Sequence, residues 1–278
     1  MSSCNSCPSN DSCSKDKEQC MIENNPMNNI KNVIGVMSGK GGVGKSTISV
    51  MIAKQLRKLG YKVGILDADI TGPSVPRLLG LKDKKAEVTE ELIVPIETED
   101  KIKVMSLNLL IEDENQPVIW RGPVISGAVK QFWTDVLWED LDYLIIDMPP
   151  GTGDVALTVM QSIPINGLVM VSVPQDLVSM IVSKAVNMAK KMDIRVLGVV
   201  ENMSYIVCPD CNKKIKLFNG ENIDKFLGET DLQLLGELPM VSTICNLSNY
   251  GCENSDENLD ELFKPIVTNI LKELEDTK

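Results

Sequence analysis

The sequence predicts an α/β fold, a doubly wound and mostly parallel sheet with helices on both faces. Three observations lead there. Short apolar runs, several without polar alternation, recur between amphipathic stretches of helical length, a pattern that suits parallel strands covered on both sides. Two of these runs end in aspartate, at Leu66-Asp67 and Ile146-Asp147. The first run leads straight into the glycine-rich turn Gly39-Lys40-Gly41-Gly42-Val43-Gly44-Lys45-Ser46-Thr47.

Val33 to Ser38 reads as a short buried strand, and Ile48 to Leu59 carries apolar residues at helical spacing. Lys62 to Leu66 is the next strand and ends in Asp67-Ala68-Asp69. Val88 to Val94 and Lys101 to Leu107 read as an antiparallel excursion around the Glu97-Thr98-Glu99-Asp100 turn. A helix over Ser126 to Leu137 precedes the strand Tyr143 to Ile146, after which Met148 to Asp154 is a loop punctuated by glycine and proline. Gly167 to Val173, Arg195 to Val200 and Leu234 to Leu238 complete the strands, with helices over Leu177 to Lys191 and Asn258 to Leu274. The chain shows no internal repeat.

A chain of 278 residues with 43% hydrophobic and 24% charged content can bury a full core. Residues 1–30 are rich in Ser, Asn, Asp and Lys and read as a cysteine-bearing, flexible extension, with one domain over 31–278. No apolar run approaches the roughly 20 residues of a membrane span, and Met1 to Met21 has no apolar signal core. The expectation is a cytoplasmic protein. A net charge of −11 disfavours nucleic acid and anionic membranes as partners, and Glu257 to Lys278 has six acidic residues against three lysines. The chain has no histidine, so imidazole catalysis and ligation are excluded. Its eight cysteines are read as metal ligands, redox groups or buried thiols rather than disulfides.

The turn at 39–47 fits GxxxxGK[ST] between a strand and a helix, the context that a nucleoside triphosphate site requires. Glycines let backbone N–H groups turn toward phosphates, Lys45 reaches the β and γ oxygens, and the Ser46 hydroxyl ligates Mg²⁺. Asp147, at the end of an apolar strand, supplies the second Mg²⁺ carboxylate. Asp67 and Asp69 place two more carboxylates near the phosphates, one of which could orient an attacking water.

Cys208-Pro209-Asp210-Cys211 supplies two thiolates, in a loop rich in Lys and Asn after the Arg195 to Val200 strand. Zinc or an iron–sulfur cluster usually wants four, so the pair becomes complete where two subunits meet on a two-fold axis. Dithiol redox chemistry and incidental thiols are the other readings. Cys4, Cys7, Cys13 and Cys20 are four soft ligands in the extension, open to a cluster, to zinc or to neither. Cys245 and Cys252 read as buried or incidental thiols.

Lys40 gives the loop a KGGxGK[ST] form that resembles the deviant Walker A ATPases, which include MinD, ParA, the arsenite pump and the nitrogenase iron protein. In that subclass the extra lysine reaches the partner subunit's nucleotide, which implies a homodimer and that role for Lys40. Four further segments narrow the likeness: Asp67-Ala68-Asp69-Ile70-Thr71-Gly72-Pro73-Ser74, Trp120-Arg121-Gly122-Pro123, Asp147-Met148-Pro149-Pro150-Gly151-Thr152-Gly153-Asp154 and Glu201-Asn202-Met203-Ser204. With these, residues 32 to 250 resemble the Mrp/Nbp35/ApbC family of iron–sulfur cluster carrier ATPases. The resemblance implies slow ATP hydrolysis and transfer of a [4Fe-4S] cluster, bridged by Cys208 and Cys211 across the dimer, to recipient apoproteins. It implies that Asp69 orients the water and that Asn202 reads the adenine edge. Cys4, Cys7 and Cys13 match the Cx2Cx5C portion of the Nbp35 branch's N-terminal cluster site, whereas Cys20 lies downstream where that branch has its remaining cysteine upstream. The alternatives are a spatial-organising ATPase of the MinD/ParA kind, or an electron-transfer ATPase like the nitrogenase iron protein.

Overall fold

In the computed structural model, which describes residues 21–70, 72–89, 92–111, 122–174, 176–216, 227–240 and 257–276, the first apolar run forms strand β1 (Asn29–Ser38). Helix α1 (Lys45–Lys58) follows, burying Ile48, Met51, Ile52 and Leu56 and placing Arg57 and Lys58 in its last turn, where cations suit the helix dipole. Strand β2 (Val63–Asp67) is buried along its whole length. A one-turn helix α2 (Val75–Leu78) leads to two minor strands, β3 (Glu87–Val88) and β4 (Ile93–Val94), then to β5 (Ile96–Glu97) and β6 (Ile102–Met105). Helix α3 (Gly122–Thr134), β7 (Asp140–Asp147), α4 (Asp154–Ser162), β8 (Gly167–Ser172) and α5 (Asp176–Lys191) continue the alternation. The chain closes with β9 (Val196–Val207), β10 (Lys214–Ile215), β11 (Leu234–Pro239) and α6 (Glu257–Glu275).

Among the described residues one nine-stranded sheet runs β10-β9-β8-β1-β7-β2-β6-β5, with β11 also paired to β9. The pairs β1–β7, β1–β8, β2–β7, β2–β6, β8–β9 and β9–β11 are parallel. The predicted doubly wound sheet is therefore present. Its register aligns Asp147 with Val36 on one side and with Asp67 on the other. The carboxyl ends of three adjacent strands thus carry the glycine-rich loop and both aspartates to one edge, where ligands of open α/β sheets bind.

Helix α6 shows how the outer layer is held. Leu259, Phe263, Ile266, Val267 and Ile270 are buried at helical spacing, each contributing about 1.5–3 kcal/mol of apolar burial. Gly236 lets the helix come close to the sheet, because a Cβ there would lie 2.5 Å from Ile266 Cγ1. Asn269 Nδ2 donates to the Leu235 carbonyl at 2.9 Å, and Asp260 receives Gln55 Nε2 at 2.6 Å together with the Lys58 ammonium.

Several elements differ from the sequence expectation. Val88 to Val94 is not one strand: β3 and β4 pair with each other in a separate ribbon. β6 does turn back antiparallel to β5 around Thr98, but its other edge joins the main sheet parallel to β2. Leu137 lies beyond the end of α3, its N–H donating to the Ile93 carbonyl. Helix α4 replaces the tail of the expected loop, and β9 continues seven residues past Val200. Residues 21–30, grouped by composition with the extension, are seated on the domain: Ile22 N–H donates to the Ser162 carbonyl, Trp133 Nε1 to the Ile22 carbonyl, and Asn29 opens β1. Cys4, Cys7, Cys13, Cys20, Cys245, Cys252, Thr71, Trp120 and Arg121 lie outside the described residues.

Candidate functional site

β1 delivers the chain to the loop at Ser38, whose Oγ donates to the Lys40 carbonyl at 2.9 Å and whose own carbonyl accepts from Gly151 N–H at 2.8 Å. The segment after β7 therefore crosses the entry of the loop. Gly39 is required by close approach, since a Cβ would sit 2.9 Å from Ile181 Cγ2. Gly42 and Gly44 have φ of +80° and +85°, the left-handed region that costs a side chain roughly 1–2 kcal/mol. Helix α1 then starts at Lys45 with no side-chain cap and no acidic residue in its first turn, which leaves its N–H donors and positive dipole end available to an anion.

Lys45 is 6% exposed, with Nζ 2.8 Å from Asp147 Oδ2 and 3.8 Å from Asp69 Oδ2. Ser46 Oγ donates to the same Asp147 Oδ2 at 2.6 Å, and Ser49 Oγ to Asp147 Oδ1 at 2.7 Å. Asp147 is fully buried, and both its oxygens are charge-assisted acceptors. Ser49 was not among the sequence candidates; its signal was its place one helical turn after Ser46's neighbour Lys45, on the face that meets β7.

The two carboxylates at the carboxyl end of β2 differ in burial. Asp67 is buried: Oδ2 accepts from Ser106 Oγ at 3.2 Å and from Val75 N–H at 3.3 Å, and Oδ1 accepts from Asp69 N–H at 3.2 Å. Burial first, and then the charge of Asp147, push its pKa up to about 8, against the opposing pull of Lys45. Asp69 retains 14% side-chain exposure beside Lys45. Of the pair, Asp69 is the one a solvent nucleophile can reach. Lys40 is half-buried, Gly41 and Gly42 are exposed, and Thr47 is half-buried.

Asn202 was expected at a strand end. It lies inside β9, fully buried, with Nδ2 donating to the Val43 carbonyl at 2.9 Å. A Cβ on Gly44 would come within 2.4 Å of that same nitrogen, so the side chain is fitted against the loop. Its Oδ1 has no hydrogen-bond partner among the described residues.

The thiols were expected in a loop soon after Val200. They sit instead at the tip of a hairpin, because β9 runs to Val207 and turns into antiparallel β10, pairing Val207 with Lys214 and Ile206 with Ile215. Cys208 N–H donates to the Lys213 carbonyl at 3.0 Å and Asn212 N–H to the Cys208 carbonyl at 2.9 Å, with Asn212 at φ +56° closing the turn. Cys208 is half-buried and Cys211 exposed, and both are free thiols. Backbone N–H groups of Asp210 and Cys211, then the Cys211 side chain, pull the Cys208 pKa below the usual thiol value.

Among the described residues no group of three or more His, Cys, Asp or Glu side chains could hold a metal ion. Ser46 and Asp147 are the residues that would hold a Mg²⁺, its remaining ligands coming from phosphate and water. The hard oxygens of Ser46 and Asp147 beside an uncapped helix N-terminus fit a magnesium nucleotide. Soft Cys208 and Cys211 fit half of a four-thiolate site.

Fold and site together define a P-loop NTPase. The sequence model described as ParA, NUBPL iron-transfer P-loop NTPase, matches residues 29–275, and the chain belongs to that family. It is 52% identical over 254 residues to the iron-sulfur cluster carrier protein of Clostridium perfringens, covering 86% of this chain and 89% of that one. It is 43% identical over 254 residues to the cytosolic Fe-S cluster assembly factor Nubp2 homolog of Drosophila virilis, covering 90% and 96%. A nucleotide-binding protein from Archaeoglobus fulgidus, solved in complex with ADP, superposes with a TM-score of 0.71 at 43% identity, covering 80% of this chain and 87% of that one.

Proposed function

We propose that this chain is an ATP-hydrolysing homodimer that holds an iron–sulfur cluster between the Cys208 and Cys211 pairs of two subunits and passes it to recipient apoproteins. The observation that carries the reading is the common mounting of both sites. β9 touches the phosphate loop through Asn202 and, six residues on, presents the first thiol at the tip of the hairpin.

In this reading the backbone N–H groups from Gly39 to Thr47 surround the phosphates of ATP, and Lys45 turns its ammonium from Asp147 toward the β and γ oxygens. Bound Mg²⁺ supplies charge neutralisation on the phosphate oxygens. Ser46 and Asp147 hold that ion, while Ser49 keeps the Asp147 carboxylate in place. Asp69 orients the attacking water, and Lys40 extends to the partner subunit's nucleotide. Asn202 places an unpaired acceptor beside the loop, which suits the exocyclic amine of adenine.

The cluster is cargo: four thiolates, two from each subunit, satisfy the usual [4Fe-4S] ligand count. Lowered basicity at Cys208 favours the thiolate that binds iron. The extension over residues 1–30 adds Cys4, Cys7, Cys13 and Cys20 as a second candidate thiolate set. A cytoplasmic location belongs to the same reading; among the described residues no helix is long and apolar enough to cross a membrane.

Anaerobic reconstitution with iron and sulfide tests the site. The bridged cluster should give a brown protein with about four irons per dimer beyond any held by the extension. That increment should disappear in Cys208→Ala and persist in Cys4→Ala. A colourless protein holding only zinc would reject the reading.

A further inference from the structure

Between Asn202 and Cys208 the backbone of β9 is not a plain strand. Met203 has φ +56°, a left-handed conformation that a non-glycine residue seldom adopts inside a sheet. Around it the pairing with β11 slips: Glu237 pairs with Glu201 but Pro239 pairs with Tyr205, so a step of two residues on β11 faces a step of four on β9. Ser204, itself buried, donates Oγ to Glu201 Oε2 at 2.5 Å and ties the two ends of this bulge together.

Both ends of the bulge are fastened to a different site. On the near side, Asn202 is bonded to the Val43 carbonyl and packed against Gly44. On the far side, the Tyr205 carbonyl accepts from Met240 N–H at 2.7 Å, the Lys214 ammonium stands 4.3 Å over the Tyr205 ring, and the β9–β10 pairs carry the strand to Cys208. The line of contacts from Asn202 to Cys208 runs over six residues of β9, and the bulge makes it shorter than a plain strand of that length.

We infer that the Glu201–Ser204 bulge is a mechanical joint that carries a displacement of the phosphate loop at Val43 to the thiols of Cys208 and Cys211, and carries the reverse displacement back. The inference rests on the reading that ATP occupies the loop and cargo the thiols, although the joint itself needs only a nucleotide. A loop that closes on phosphates moves its carbonyls as well as its N–H groups. An amide held by Val43 and blocked by Gly44 must follow. The left-handed residue makes the joint stiff, because the neighbouring hydrogen bonds hold Met203 in a conformation with few alternatives. Coupling of this kind is reciprocal, so occupancy of the thiols must alter nucleotide affinity by the same factor.

The test uses the full, cluster-free chain and the reactivity of Cys208. Its rate of alkylation by iodoacetamide is followed by mass spectrometry, with and without a non-hydrolysable ATP analogue and Mg²⁺. In the unsubstituted chain nucleotide should change the rate by about fivefold or more, within the range of ordinary site-to-site coupling. Met203→Gly, which turns the joint into a free swivel, should cut the effect to less than about twofold while leaving analogue affinity within about threefold. Met203→Asn tolerates the left-handed backbone and also lacks the thioether, so it should keep the full effect. Nucleotide-insensitive alkylation of the unsubstituted chain, a full effect in Met203→Gly, or loss of the effect in Met203→Asn would each overturn the joint. A protein that shows the expected alkylation pattern but never acquires a cluster would reject the carrier reading and leave the joint standing. One that carries clusters with nucleotide-insensitive thiols would do the reverse.

Discussion

Ser49 Oγ lies 2.7 Å from Asp147 Oδ1 while Ser46 Oγ lies 2.6 Å from Oδ2 of the same carboxylate. Two hydroxyls from the first two turns of α1 thus fix both oxygens of the aspartate that ends β7. Ser49 is fully buried, and its Oγ also lies 3.1 Å from the Lys45 carbonyl, so it steadies Asp147 from inside the helix. Ser49→Ala should leave the fold intact by circular dichroism and weaken the apparent Mg²⁺ affinity in ATP hydrolysis by roughly 10-fold or more, the usual cost of removing a hydrogen bond that orients a metal-binding carboxylate. An unchanged Mg²⁺ titration would show that Asp147 needs no such support.

Gly44 is the tightest point of the loop. Gly44→Ala would force a Cβ to 2.4 Å from Asn202 Nδ2 at a φ of +85°. The substitution should lower the thermal midpoint by about 5 °C, from a combined strain and displacement of about 2 kcal/mol. Gly41→Ala, with nothing within 4 Å of the added Cβ, should leave the midpoint unchanged. Equal midpoints for the two variants would contradict the fit of Asn202 against the loop.

Asp67 makes the metal-free protein sensitive to pH in a definite direction. Its pKa is raised from 3.8 to about 8 by burial and by Asp147, so between these values the folded chain holds a proton that the unfolded chain has lost. The unfolded state then binds fewer protons, and stability falls as pH rises through this window, by about 1 kcal/mol per pH unit, before levelling off above the folded pKa. In EDTA, the stability of the unsubstituted chain relative to Asp67→Asn should decline from pH 5 to pH 8. A flat difference would show that Asp67 is ionised in the folded protein.

Cys208 should be the first thiol of the pair to react. Hydrogen bonds from the Asp210 and Cys211 backbone N–H groups favour its thiolate, although Cys211 is the more exposed. Brief treatment of cluster-free protein with iodoacetamide near neutral pH, followed by peptide mapping, should find label on Cys208 ahead of Cys211, because reactivity follows the thiolate. Preferential labelling of Cys211 would mean that exposure dominates.

The nucleotide half of the molecule was legible because its signals are local. Glycine spacing named the loop, and apolar runs ending in Asp67 and Asp147 named the strands that flank it. The thiol half was legible in composition but not in placement. Glu201, Asn202 and Ser204 are polar, and a polar stretch after Val200 reads as the end of a strand. Their burial depends on partners far away in sequence, such as Val43 for Asn202, or on a bulge that brings Ser204 to Glu201. The same limit applies to β6, whose parallel pairing with β2 depends on a neighbour nearly 40 residues away rather than on the adjacent turn. Helix α4 was hidden by the Pro149-Pro150-Gly151 run that leads into it, which signals a turn more strongly than Asp154 to Ser162 signals a helix.

Cluster transfer, followed atom by atom, tests directly whether this dimer gives its cluster away. The reconstituted dimer, labelled with radioactive iron and sulfide, is mixed anaerobically with an unlabelled apoprotein acceptor of a [4Fe-4S] cluster, with an iron chelator present and with or without ATP and Mg²⁺. Iron and sulfide should appear together in the acceptor despite the chelator, at a rate that ATP alters, and Cys208→Ala should transfer neither. Iron captured by the chelator, label that stays on the dimer, or a Cys208→Ala variant that transfers as well as the unsubstituted chain would contradict it.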